Sequence, residues 1–100
     1  KDGKVCVCNC YSWYRLMYGR TIMFTLLAPS LWSAIEAVAQ PLAKDGSSRH
    51  LFKSSDNSGF IIEVFADQNE AGNNLEVLKS VQGLKEQAMA KVTVIEGKSI

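Results

Sequence analysis

The chain has 100 residues, 47% of them hydrophobic and 21% charged, with 11 basic against 10 acidic side chains and a formal net charge of +1. This composition excludes a disordered chain, and the length fits one domain spanning 1–100, marginal alone and suited to a partner subunit. The near-neutral balance argues against a nucleic-acid binder, whose surface carries a basic excess.

Residues 1–20 hold Lys1, Lys4, Arg15 and Arg20 against Asp2 alone. Within them Cys6, Cys8 and Cys10 stand at spacing two, so in an extended chain the three thiols share one face. Tetrahedral zinc wants four ligands, commonly in C-x2-C pairs, and an odd thiol count does not build a disulfide framework. The segment Val5 to Tyr14, with Tyr11, Trp13 and Tyr14, reads as an extra strand within an N-terminal extension or arm over 1–19. No metal is expected there, and reduced thiols suit a cytoplasmic compartment.

Arg15 and Arg20 followed by Ile22 to Ala28 have the charged-then-apolar order of a signal peptide. Pro29, Ser30, Ser33 and Glu36 interrupt the apolar run before the ~20 residues that a membrane span needs. The reading preferred here is a buried strand, Thr21 to Ala28, stopped by Pro29, with no membrane partner. Ser30, or Ser33 with Glu36 in a capping box, then starts a helix. Leu31, Ala34, Ile35, Val38, Ala39 and Leu42 give it one apolar face. Pro41 should kink this helix or end it within a turn, and Gly46 is placed as its left-handed C-terminal residue.

His50 to Lys53 and Phe60 to Phe65 flank Ser55-Asp56-Asn57-Ser58-Gly59, a turn-rich stretch, and should pair as antiparallel strands. In the second strand Phe60, Ile62 and Val64 share one face while Ile61, Glu63 and Phe65 share the other. Both faces are largely apolar, so the strand is central or meets another subunit. Asn73 or Asn74 caps a second helix running to about Ala90, with a stripe of Leu75, Leu78, Val81, Leu84 and Ala88. Lys79, Lys85 and Glu86 lie off that stripe and should be solvated. Lys91 to Gly97 closes the chain as a strand. The order β-α-β-β-α-β is a ferredoxin-like α+β sandwich over 20–97, an antiparallel sheet with both helices on one face.

From Thr21 to Ser99 the chain resembles the antibiotic-biosynthesis-monooxygenase-like family of dimeric α+β barrels, including its YdhR-type members. The resemblance rests on Leu27-Ala28-Pro29, Gln40-Pro41-Leu42-Ala43, Gly46, the stretch Phe60 to Asp67, and Ala90-Lys91-Val92-Thr93-Val94. It implies a homodimer with sheets packed face to face and, in each subunit, a small-molecule pocket between sheet and helices. It also implies oxygenation of quinol-type, polyphenol or polyketide substrates without metal or flavin; other members of the family degrade haem. The positions matching the haem-degrading branch's Asn, Trp and His are Met23, Phe65 and Asn74, which disfavours haem degradation by that route.

His50 is the one side chain whose ordinary pKa lies near neutrality, and so the natural proton acceptor for a phenolic substrate; the competing reading is a half-exposed or interface histidine. Asn74 would orient an oxygen, or simply cap the second helix. Met23, Trp32, Phe52 and Phe65 would form the wall of the pocket, though an aromatic at position 32 also suits the core. Glu63, between Ile61 and Phe65, is either a buried base or one half of an interface ion pair. Two functions follow. One is a cofactor-independent oxygenase-like enzyme for a planar aromatic molecule; the other is a non-catalytic dimeric binding module on the same fold.

Overall fold

The computed structural model describes residues 17–44 and 46–100. The expected N-terminal strand with Cys6, Cys8 and Cys10, and Asp45, lie outside them.

The first strand, β1 (Tyr18–Leu26), alternates strictly enough to sort its side chains onto two faces. Arg20, Ile22, Phe24 and Leu26 are buried, while Thr21, Met23 and Thr25 point the other way. It starts before the expected Thr21, so Gly19 lies inside the strand and does not punctuate it. Pro29 then opens a 3-10 turn, Pro29–Leu31, that runs into α1 (Trp32–Val38). Neither Ser30 nor Ser33 caps it. Ala28 stands extended before Pro29, whose fixed φ and missing N–H suit the first helical position. The helix ends three residues before Pro41, because a residue preceding proline is pushed out of the helical region.

Leu42 does not extend the helix stripe but begins a short strand, β2 (Leu42–Lys44), paired with β3 (Ser47–Lys53). Gly46 is left-handed, as expected, with φ +75°, but it serves the tight turn between these strands and not a helix end. β3 pairs antiparallel with β4 (Ser58–Phe65), with Phe52 opposite Phe60 and His50 opposite Ile62.

After β4 the chain makes two helices where the sequence suggested one. Asp67 caps α2 (Gln68–Asn73) by accepting from the Glu70 N–H at 2.8 Å. Asn74 is therefore the residue that ends α2, not the start of the long helix. Its side-chain amide donates back to the Glu70 carbonyl at 2.8 Å. The long helix, α3 (Glu76–Ala88), buries Val77, Val81 and Ala88, and β5 (Met89–Lys98) follows at once.

The sheet order is β2-β3-β4-β1-β5, all neighbours antiparallel. Without the β2 edge this is the ferredoxin-like α+β arrangement, with the central pair β4 and β1 and the helices on one face. The core lies between: Ile22, Phe24, Leu26 and Ile61 from the sheet meet Ile35, Ala39, Val77, Val81 and Ala88 from the helices. Each large side chain buried in this layer is worth about 1.5–3 kcal/mol.

Candidate functional site

The covered face of the sheet carries a row of charges that the apolar pattern conceals. Arg49, Glu63, Arg20 and Glu96 stand opposite one another on β3, β4, β1 and β5, alternating in sign across four strands. Arg20 and Glu63 are only 2% and 1% exposed. The Arg20 guanidinium donates to Glu63 Oε1 at 3.2 Å and to Glu96 Oε2 at 3.2 Å. Arg49 Nε donates to the other Glu63 oxygen at 3.0 Å. Arg20 also donates to the carbonyls of Ala71 at 2.9 Å and Asn74 at 3.0 Å, where α2 ends; the Ala71 carbonyl accepts the Asn74 N–H as well. Its guanidinium sits 5.1 Å from the centre of the Phe65 ring. A buried charge survives only when paired and hydrogen-bonded, and this row meets that condition throughout.

Glu63 does form ion pairs, but within the chain and beneath the helices, not at a subunit interface as the sequence suggested. Both of its oxygens are held by arginines, so neither is directed at a substrate. Phe65 is 3% exposed beneath Arg20 and serves the same cluster.

Trp32 is also structural. Its indole N–H donates to the Asp56 carbonyl at 2.7 Å, its ring meets Phe24 edge-on at 5.5 Å, and the Lys53 ammonium lies 5.5 Å above it. Gly59 makes this possible. A methyl there would meet the Phe52 carbonyl and come within 2.6 Å of the Trp32 ring. The glycine is needed for close approach and not for a left-handed turn, so its place in β4 differs from the turn role expected of it.

Among the described residues the opposite face is open. Met23 is 36% exposed, Phe52 43% and Ile95 55%, with Phe60, Ile62 and Val64 half-buried among them. Phe52 stacks on Phe60 with ring centres 5.1 Å apart, and His50 lies 6.3 Å from Phe52 on the same strand face. Phe60 stands opposite Met23, and Met23 opposite Thr93, so one register line runs Phe52, Phe60, Met23, Thr93. Beside it, towards the β3–β4 hairpin, a depression of about 240 Å3 is lined by Met23, Thr25, Ser58, Phe60, Lys91 and Thr93, among others.

The structure therefore divides the residues expected to share one pocket. His50, Met23 and Phe52 come together on the open face, and Trp32, Phe65 and Asn74 lie on the helix-covered side. The space between sheet and helices, where the resemblance implies a pocket, is filled in this chain by Ile22, Ile35, Ile61 and Val81, all 0% exposed, and by the charge row. Phe60, Thr25, Thr93 and Lys91 were not among the expected site residues. Alternation alone puts Phe60 in phase with Ile62, but only the register brings it beside Met23. No helix among the described residues is long and apolar enough to cross a membrane.

No protein-family model and no curated protein sequence matches the chain. Solved structures do. A protein of unknown function from Nitrosomonas europaea is similar with a TM-score of 0.67 at 9% identity, over 86% of this chain and 92% of that one. SnoaB, a cofactor-independent oxygenase from Streptomyces nogalater, is similar with a TM-score of 0.54 at 17% identity, over 84% and 91% of the two chains. At these identities the likeness is one of fold.

Proposed function

We propose that the protein binds a planar aromatic or quinol-type molecule on the open sheet face, enclosed there by a second copy of the chain, and oxygenates it without a cofactor. The observation that carries this reading is the exposed row of Phe52, Phe60 and Met23 with His50 at its edge. Flat, polarizable side chains at stacking distance suit a planar ring system. An imidazole beside them carries a ring nitrogen that can accept a proton from a bound molecule. The fold shared with a cofactor-independent oxygenase, and the resemblance to the antibiotic-biosynthesis-monooxygenase-like family, support the same reaction class. An uncovered apolar sheet face is an association surface, and a twin sheet laid on it would turn the depression into a closed site.

In this reading His50 removes a proton from an acidic ring CH2. The carbanion transfers its electrons to dioxygen and forms a C–O bond. The resulting peroxide, reprotonated from His50, loses water to leave a ring carbonyl. One oxygen atom enters the product, the other leaves as water, and the substrate supplies the electrons.

The second reading is a non-catalytic binding module. It is favoured by the position of Asn74, which was expected to assist His50 but lies across the sheet with its amide engaged by Glu70. Oxygen uptake with a panel of anthrones and quinols decides between them. The oxygenase reading expects uptake by the wild type and its loss in His50→Ala. Binding without uptake leaves the module, and uptake unchanged by the substitution removes His50 from the mechanism.

A further inference from the structure

The depression on the open face has a makeup that narrows its ligand further, and this inference rests on the open-face reading above. Its apolar floor is Met23 and Phe60, and hydroxyls of Thr25, Thr93, Ser54 and Ser58 stand around it. Among the described lining residues one is charged, Lys91, and none is a carboxylate. The register fixes where that cation stands. Lys91 is opposite Thr25 on β1, one row from Thr93 and Met23, and Thr25 is opposite Ser58 on β4. Two strand spacings separate β5 from β4, so the strands that carry Lys91 and Phe60 lie about 10 Å apart across the sheet. Phe60 and Lys91 therefore stand two strands apart in one trough, with Met23 and the Thr25 hydroxyl on the strand between them.

We propose that this depression takes a planar aromatic acid, with its ring on Phe60 and Met23 and its anionic oxygen, carboxylate or phenolate, on Lys91. A neutral ring would bury the apolar floor equally well but leave the cation without a partner. An anion gains a charge-assisted hydrogen bond there, and neighbouring hydroxyls can donate to its remaining lone pairs. For the oxygenase reading this places the acidic oxygen of a quinol-type substrate at Lys91, with the far end of its ring system reaching along the Phe52–Phe60 row towards His50.

The test titrates wild type with 2-naphthoate and with its uncharged analogue 2-naphthamide by calorimetry, while methyl NMR follows Met23. The naphthoate should bind about tenfold more tightly, the effect of one charge-assisted contact. Lys91→Gln should make the two ligands equal, and Lys91→Arg should keep the preference. Lys91 is exposed, so neither substitution threatens folding. Equal affinities in wild type, or a preference that survives Lys91→Gln, would overturn the proposal while leaving the open-face site standing, provided the Met23 methyl shifts. If neither ligand moves that methyl, the open-face reading falls together with the proposal.

Discussion

The two faces of this one sheet were built to opposite rules. On the covered face each polar group has an assigned partner. Arg20 alone serves Glu63, Glu96 and two backbone carbonyls, and the surrounding space is closed by Ile22, Ile35, Ile61 and Val81. On the open face the aromatic and thioether side chains stay partly in water, and hydroxyls and a lysine border a depression. A saturated charge row has no capacity left for a ligand, whereas an apolar surface beside Lys91 and the Thr25 and Thr93 hydroxyls does. Reactive-looking residues on the covered side are therefore architectural, and the plainer residues on the other side are the better candidates for binding.

The sharpest way to break this contrast is to unbalance the covered row. Glu63→Gln removes the charge that two arginines share, leaving the buried Arg20 with only the partly exposed Glu96 as counterion. Loss of one partner from a buried pair costs about 3–5 kcal/mol, and urea unfolding should show a loss of this size. Arg20→Met should cost a similar amount and additionally loosen α2, whose terminal carbonyls it holds. Native-state hydrogen exchange would show this as faster exchange over residues 68–74. Combining Arg20→Met with Glu63→Leu should recover part of the loss, because removing both charges leaves less unpaired. A Glu63→Gln protein as stable as wild type would show that the row does not hold this face together.

Where the two faces meet, at the β3–β4 hairpin, the contact between Gly59 and Trp32 offers a smaller lever. Gly59→Ala places a methyl against the Trp32 ring and the Phe52 carbonyl. Overpacking of this kind costs about 1–3 kcal/mol, visible as a lower Tm and a shifted Trp fluorescence maximum. The backbone of Phe52 belongs to the strand that carries the aromatic row. The same substitution should therefore weaken naphthoate binding more than Lys79→Ala, a change at an exposed position on α3.

The open face is tested by a change that ought to leave the protomer intact. Ile95→Lys puts a charge on the exposed apolar surface, where stability should move by no more than about 0.5 kcal/mol. Self-association should fall at least about tenfold in sedimentation equilibrium, since a desolvated charge without a partner is costly at an interface. A wild type that stays monomeric at high concentration would remove the second copy from the proposed site, and an Ile95→Lys variant that dimerises normally would move the interface elsewhere.

The sequence announces the layered arrangement because period-2 and period-3.6 patterns are local. The alternation of Phe60 to Phe65 identifies a two-sided strand, and Leu78, Val81 and Leu84 identify a helix face. It does not announce which residues stand opposite one another. Glu63 is conspicuous among apolar neighbours, yet its partners Arg20 and Arg49 lie 43 and 14 residues away, and Arg20 reads as one more charge of a basic N-terminal stretch. The same gap explains the divided pocket. His50 and Trp32 both look like site residues in the sequence, and only the register and the helix placement put them on different sides. The short α2 escapes notice because Asn73 and Asn74 are good capping residues. Here the cap that forms is Asp67, and Arg20 stabilises the end of the helix from outside it.

The smallest expected effect lies where the charge row reaches solvent. Glu96 is 32% exposed, and besides Arg20 it accepts from the Tyr18 hydroxyl at 2.9 Å. That hydrogen bond, helped by slight burial and by the negative charge of Glu96, raises the Tyr18 pKa above its ordinary value, while Arg20 acts in the opposite direction. The folded state thus favours the neutral phenol. The stabilisation is fully present below the unfolded tyrosine pKa of about 10 and is lost as the pH rises through the higher folded value. Ring-carbon NMR of Tyr18 should show the raised titration in wild type and a return towards the ordinary value in Glu96→Gln, since the amide neither repels the phenolate nor binds the phenol as strongly. A Tyr18 that titrates identically in both proteins would mean that Glu96 is fully engaged by Arg20, and that the row of alternating charges stops at Glu96 without acting on the phenol.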